Sequence, residues 1–252
     1  MADRPTIDLN ADLGESAQPD RLALDGALLG IVSSANIACG GHAGDERTMS
    51  ACTVAAAAHG VALGAHPSYP DRSGFGRRAM TLDPGALRRS LVEQLDALRR
   101  IADRHGVTLR HVKPHGALYH AAMTDPAVAQ LVAESAAGLR LVGQAGSRGL
   151  EVWRSMGRAV LAEAFADRRY RRDGSLVPRS HASSMITDPE EAAAQAVRIA
   201  VHGRLTADDG ADIAITAGTI CVHSDTPGAR AVAGAVRAGL ESAGVQVRCP
   251  VD

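Results

Sequence analysis

Apolar residues recur along this chain in two rhythms: short β-rich runs, and longer stretches with helical spacing. The short runs lie near residues 5–10, 31–38, 61–66, 109–114, 139–144, 159–164 and 212–222. Stretches such as GALRRSLVEQLDALRRIADRH, AVAQLVAESAAG and EEAAAQAVRIAVH carry apolar side chains at helical spacing. Asp83-Pro84, Asp125-Pro126 and Asp188-Pro189 each predict a helix start, with Asp as N-cap and Pro at the first helical position. His59-Gly60, His105-Gly106 and His202-Gly203 predict helix ends, where a histidine meets the negative end of the helix dipole. Such alternation joins parallel strands by right-handed crossovers. It predicts an α/β fold, a seven-stranded, irregular (β/α) barrel, with a doubly wound open sheet as the alternative. One domain over 1–252 is expected. The polar, Arg-rich stretches 67–83 and 166–187 read as lids.

In such a barrel the site forms at the C-terminal ends of the strands. Strand side chains alternate in direction, so parity sorts them. Ile7 and Leu9 face the helix layer, and Asp8, Asn10 and Asp12 face inward. The same test groups Asn36 with His42, Gly64 with His66, and His111 with Lys113 and His115. It also groups Glu163 with Asp167, and Thr219 with Cys221, His223 and Asp225. So many inward polar groups require a site or a dense hydrogen-bond network.

Composition sharpens this picture. Of 27 basic residues one is lysine, Lys113, and Asn10 and Asn36 are the two asparagines. With Phe75, Phe165, Tyr69, Tyr119 and Tyr170 they fall in five short stretches of an Ala- and Arg-rich chain. A net charge of -1 argues against nucleic-acid binding. No apolar run reaches the roughly 18 residues of a membrane span. The four cysteines form no CxxC pair, so neither a zinc finger nor a thioredoxin-like motif is present. A cytoplasmic enzyme with reduced thiols is the expectation.

Arg replaces Lys readily on a solvated surface, but not where a compact ammonium must face one acceptor, which makes Lys113 a candidate catalytic group, or else a strand-end lysine paired with Asp8 or Asp12. His115 beside it can move protons near neutral pH. Asp12, His42 and His66 suit zinc or iron as two imidazoles and a carboxylate, or they hydrogen-bond to substrate and to each other. Gly40–Asp45 reads as an anion-binding loop, or as a tight turn with Asp45 as N-cap; no Walker A motif occurs. Arg77 and Arg78 read as anion clamps or as part of a solvated loop. Trp153 reads as helix packing.

The stretches IDLNADLGE, SANIACGGHAGD, GAHPSYPDRSGFGRR, VKPHGALY, EAFADRRY with LVPRS after it, and ICVHSDTP together resemble the LamB/YcsF family, the A subunit of 5-oxoprolinase (ATP-hydrolysing). Ala11, Gly41 and Ser224 depart from the family's commonest form. The resemblance implies a barrel of the glycoside hydrolase/deacetylase kind. It implies cleavage of 5-oxo-L-proline to L-glutamate with ATP as co-substrate, together with subunits B and C. A divalent metal would accompany ATP as magnesium or bind at the barrel mouth. For that reaction Asp12 or His66 would be the base, Lys113 the electrostatic stabiliser and His115 the proton donor. Arg77, Arg78 and Asn36 would hold carboxylate or phosphate, with Asp8, Asn10, His42, Tyr119, Glu163 and His223 as further binding groups. The alternatives are a stand-alone metal-dependent deacetylase or amidohydrolase, and a non-catalytic subunit that binds substrate.

Overall fold

The computed structural model describes residues 4–250. In chain order the elements are β1 (Thr6–Leu13), α1 (Pro19–Leu29), β2 (Ser34–Ala38), α2 (Glu46–His59), β3 (Ala62–His66), α3 (Pro84–Arg104) and β4 (Leu109–Val112). There follow α4 (Gly116–Thr124), α5 (Pro126–Ser135), β5 (Arg140–Gln144), α6 (Arg148–Ser155), β6 (Val160–Phe165) and α7 (Pro189–His202). The chain continues with β7 (Arg204–Thr206), β8 (Asp212–Ala214), β9 (Thr219–His223), α8 (Ala229–Ser242) and β10 (Gln246–Val247). Seven parallel strands close into a ring in the order β1, β2, β3, β4, β5, β6, β9 and back to β1. Below the ring, β10 pairs with Thr6 and Ile7 of β1.

The helix punctuation acts as the sequence predicts. Asp83, Asp125 and Asp188 each accept a backbone N–H of the first helical turn, with Pro next in line. Gly60 and Gly203 close α2 and α7 in the left-handed conformation. One expectation needs correction: residues 212–222 are not one strand. Arg204–Thr206 and Asp212–Ala214 form a separate antiparallel hairpin, and the barrel strand begins at Thr219. Ile215 N–H bonds back to the Gly203 carbonyl, so the apolar run bends away from the ring.

The parity of β1 holds. Leu9, Ala11 and Leu13 are fully buried in the hydrophobic layer between strands and helices. Each large side chain buried there contributes about 1.5–3 kcal/mol. The inward residues fill a narrow interior, as expected of a small barrel. Gly64 makes room for this filling: a Cβ there would lie 2.0 Å from His111 Nε2. The Gly40–Asp45 segment is a turn with a capping box, in which Asp45 accepts Thr48 N–H and the Thr48 hydroxyl accepts Asp45 N–H. Trp153 is buried, with its indole N–H on the Ala129 carbonyl.

Candidate active site

The lower interior is a closed network. Asp8 accepts the hydroxyls of Ser33, Ser34 and Thr219 at 2.6, 2.7 and 2.6 Å. Asn10 donates to Thr219 Oγ1 at 2.7 Å and to Glu163 Oε1 at 3.0 Å. Asn36 donates to Asn10 Oδ1 at 2.8 Å and Asp12 Oδ1 at 2.9 Å, and its own oxygen lies 2.8 Å from His111 Nε2. Burial holds the His111 pKa down at about 3, so it donates as a neutral imidazole.

Lys113 crowns this network. Its Nζ lies 2.8 Å from Glu163 Oε1, 3.0 Å from Asp12 Oδ1 and 3.1 Å from Cys221 Sγ. Burial opposes its charge, but Asp12 and Glu163 outweigh that, and its pKa stands well above the ordinary lysine value. For Asp12, burial is likewise outweighed by His66 and Lys113, which hold its carboxyl well below the usual range. Tyr119 donates its hydroxyl to Glu163 Oε2 at 2.8 Å.

Above the lysine the balance changes. His66, at the end of β3, places Nδ1 2.7 Å from the Lys113 carbonyl. His115 places Nε2 3.0 Å from the Phe75 carbonyl. A carbonyl only accepts, so the proton of each neutral ring sits on that nitrogen. The other two nitrogens, His66 Nε2 and His115 Nδ1, are 3.0 Å apart. His66 Nε2 is also 3.3 Å from Asp12 Oδ2. His42 stacks on His115, with centroids 3.7 Å apart and planes within 5°. Its Nε2 lies 3.2 Å from Glu15 Oε1, and its buried Nδ1 has no hydrogen-bond partner. Burial lowers the His42 and His115 pKa values to about 2 and raises that of Glu15 to about 7.

These groups meet a cavity of about 430 Å³ at the C-terminal ends of the strands. Arg77, Arg168 and Arg179 come from the two long loops and line it. Arg77 and Arg179 converge on one oxygen of Asp225, at 2.7 and 2.9 Å. His223 stacks on Phe165 and directs Nδ1 to Asp167 Oδ1 at 2.8 Å. Asp167 also accepts the Thr226 hydroxyl at 2.7 Å.

Of the expected site residues, Asp12, His66, Arg77, Lys113, His115, Tyr119 and His223 line this cavity. His42 lies behind it, and Glu163 lies beneath Lys113. Asp8, Asn10 and Asn36 lie deeper and line a second cavity of about 410 Å³ at the opposite end. Arg78 turns away, with Nε 3.0 Å from Asp71 Oδ2. Asp12, His42 and His66 do not gather as one donor set: Glu15, His42, His66 and His115 form one group, and Asp12, Cys221 and His223 form another. Sequence reasoning passed over Glu15, Arg168 and Arg179. Glu15 stands three residues after Asp12 in the same unusual stretch, a signal that was available.

A closed parallel barrel with its charged groups at the strands' C-terminal ends has the layout of a barrel enzyme. The chain belongs to the LamB/YcsF family, whose model matches residues 7–252. It is 49% identical to the A subunit of 5-oxoprolinase from Chloroflexus aggregans, over 97% of this chain and 99% of the relative. It is 46% identical to the corresponding 5-oxoprolinase chain of Cutibacterium acnes, over 96% of this chain and 98% of the relative. The crystal structure of a lactam utilization protein from Thermus thermophilus superposes with a TM-score of 0.90 at 45% identity, over 96% of this chain and 99% of that one. A family 4 carbohydrate esterase from Streptomyces lividans shares the fold, with a TM-score of 0.53 at 14% identity, over 96% of this chain and 91% of that one. Among the described residues no helix is long and apolar enough to cross a membrane.

Proposed function

We propose that this chain is the A subunit of an ATP-dependent 5-oxoprolinase, opening the lactam of 5-oxo-L-proline to L-glutamate with two partner subunits, B and C. The observation that carries this reading is the near-full-length likeness, at 46–49% identity, to relatives named as the A subunit of 5-oxoprolinase. The cavity supports it, since a small anionic lactam suits a pocket with an ammonium at its floor and arginines on its walls.

A five-membered lactam is a poor electrophile. Transfer of the ATP γ-phosphoryl to its oxygen releases ADP and leaves an electrophilic carbon with a phosphate leaving group. Water adds to that carbon and gives up a proton, and the ring C–N bond breaks as the nitrogen takes one. The resulting acyl phosphate yields glutamate and phosphate with a second water. We assign the proton of the attacking water to Asp12, a carboxylate lining the cavity. Lys113 stabilises charge developing on the oxygen. His115 turns one ring nitrogen to the Phe75 carbonyl and the other to His66, so we assign the donor to the ring nitrogen to His223, whose imidazolium form Asp167 orients and stabilises. Arg77, Arg168 and Arg179 hold the carboxylate or phosphate.

Glutamate release tests the reading. The purified chain is assayed with 5-oxoproline, with and without ATP, and with and without both partner subunits. Release confined to the complete, ATP-supplied mixture is expected. Release by the chain alone without ATP would instead favour a stand-alone amidohydrolase.

A further inference from the structure

We infer that Glu15, His66 and His115 bind a divalent transition-metal ion of the zinc type, and that His42 positions Glu15 for it. Such a site is independent of the substrate reading. Two nitrogens face each other wrongly. The ring protons of His66 and His115 are committed to the Lys113 and Phe75 carbonyls. In the neutral rings His66 Nε2 and His115 Nδ1 therefore point lone pairs at each other across 3.0 Å. Glu15 Oε1 adds a third acceptor, 3.6 Å from His115 Nδ1. A proton on His66 Nε2 would pair it with Asp12 Oδ2 at 3.3 Å, but would still leave Glu15 3.6 Å from the His115 ring nitrogen with no proton between them. A dication satisfies all three.

The distances fit. Donors about 2.0–2.1 Å from a tetrahedral zinc are about 3.3 Å from one another. The separations of 3.0 and 3.6 Å bracket that edge, and the whole group lies within 4.8 Å. Carbonyls that fix the tautomer of a ligating imidazole are the usual supporting shell of such sites. Glu15, His66 and His115 all line the cavity, so a fourth position opens onto it, as in catalytic zinc sites with two histidines and a glutamate.

His42 belongs to the supporting shell. Its plane is parallel to that of His115, so their in-plane lone pairs run side by side and cannot converge on one ion. With its proton on Nε2, His42 donates to Glu15 and leaves Nδ1 as a bare, unpartnered acceptor. The opposite tautomer would bury an unpaired N–H and turn a lone pair on a carboxylate. The second donor group, Asp12, Cys221 and His223, already has a cation: Lys113 Nζ touches both Asp12 and Cys221.

The test is a zinc titration of the full chain, stripped with a chelator, against a chromophoric competitor, with cobalt in a parallel sample. One zinc per chain is expected. Glu15→Gln and His115→Ala should each weaken binding by on the order of 100-fold, and His42→Phe, which keeps the stack, by about 10-fold to 100-fold. Nitrogen-15 spectra of the histidines in the unsubstituted chain serve if a variant fails to fold. Zinc should move His66 Nε2 and His115 Nδ1 and leave their carbonyl-bonded nitrogens protonated. The inference is overturned if no zinc is retained at micromolar free metal. A shared N–H···N proton signal unchanged by zinc also overturns it, as does a thiolate-to-cobalt band placing the ion at Cys221.

Discussion

The lower and upper halves of the barrel interior both bury carboxylates and imidazoles and differ in how their hydrogen bonds close. Below Lys113, Asp8 has three hydroxyl donors, and the Asn36 amide has partners for both its nitrogen and its oxygen. Above it, the neutral rings of His66 and His115 turn two bare nitrogens toward each other and toward Glu15 Oε1. Buried polar groups that satisfy one another specify a core. Buried acceptors that face each other are where we infer a metal ion. The boundary is Lys113, whose ammonium draws on Glu163 from below and Asp12 from above.

If that division holds, substitutions above the boundary cost activity and those below cost stability. The largest effect is expected from Lys113→Arg. It keeps the charge but not the compact ammonium, and glutamate release by the assembled enzyme should fall by about 100-fold to 1000-fold, as for loss of an oxyanion donor. Next is Asn36→Ala, which strips a donor from Asn10 and Asp12 and leaves His111 unpaired. It should destabilise the fold by about 2–4 kcal/mol in urea unfolding. Near-normal stability there would remove the structural role given to the lower network. Arg179→Gln should raise KM for 5-oxoproline by roughly 10-fold and leave kcat closer to normal, as expected when one charged contact to an anion is lost.

The smallest effect concerns Asp25, outside both halves, which accepts the Gly14 N–H at 2.9 Å. Burial raises its pKa to about 6. Its neutral form therefore contributes stability fully below about pH 4, and this is lost as pH rises through about 6. Asp25→Asn should flatten that dependence. At pH 7.5 it should gain about 1 kcal/mol, or roughly 2–4 °C in Tm for a chain of this size.

Much of this was legible in the residues. Asp-Pro pairs mark helix starts because cap and fixed φ act locally. Parity places Asp8, Asn10 and Asp12 inward because β1 is regular from Thr6 to Leu13. Legibility ends where regularity does. Glu15 lies past the end of β1, so alternation no longer governs its direction. Arg168 and Arg179 sit in a loop shaped by the isolated bridges Arg168–Met185 and Tyr170–Leu176, which no periodicity announces. The hairpin at 204–214 was hidden because its strands are three residues each. Arg77 and Arg78 are neighbours of one type, yet Asp225 and Asp71 draw them to opposite sides.

Lys113 also equips the molecule with a built-in reporter. Apart from the chain's α-amine, an amine-selective reagent finds one target in the sequence, and that target is sealed between two carboxylates. Its labelling rate is therefore a clock for opening of the barrel mouth. Ligands that close the site slow the clock and loosening of the upper interior speeds it, with no engineered probe.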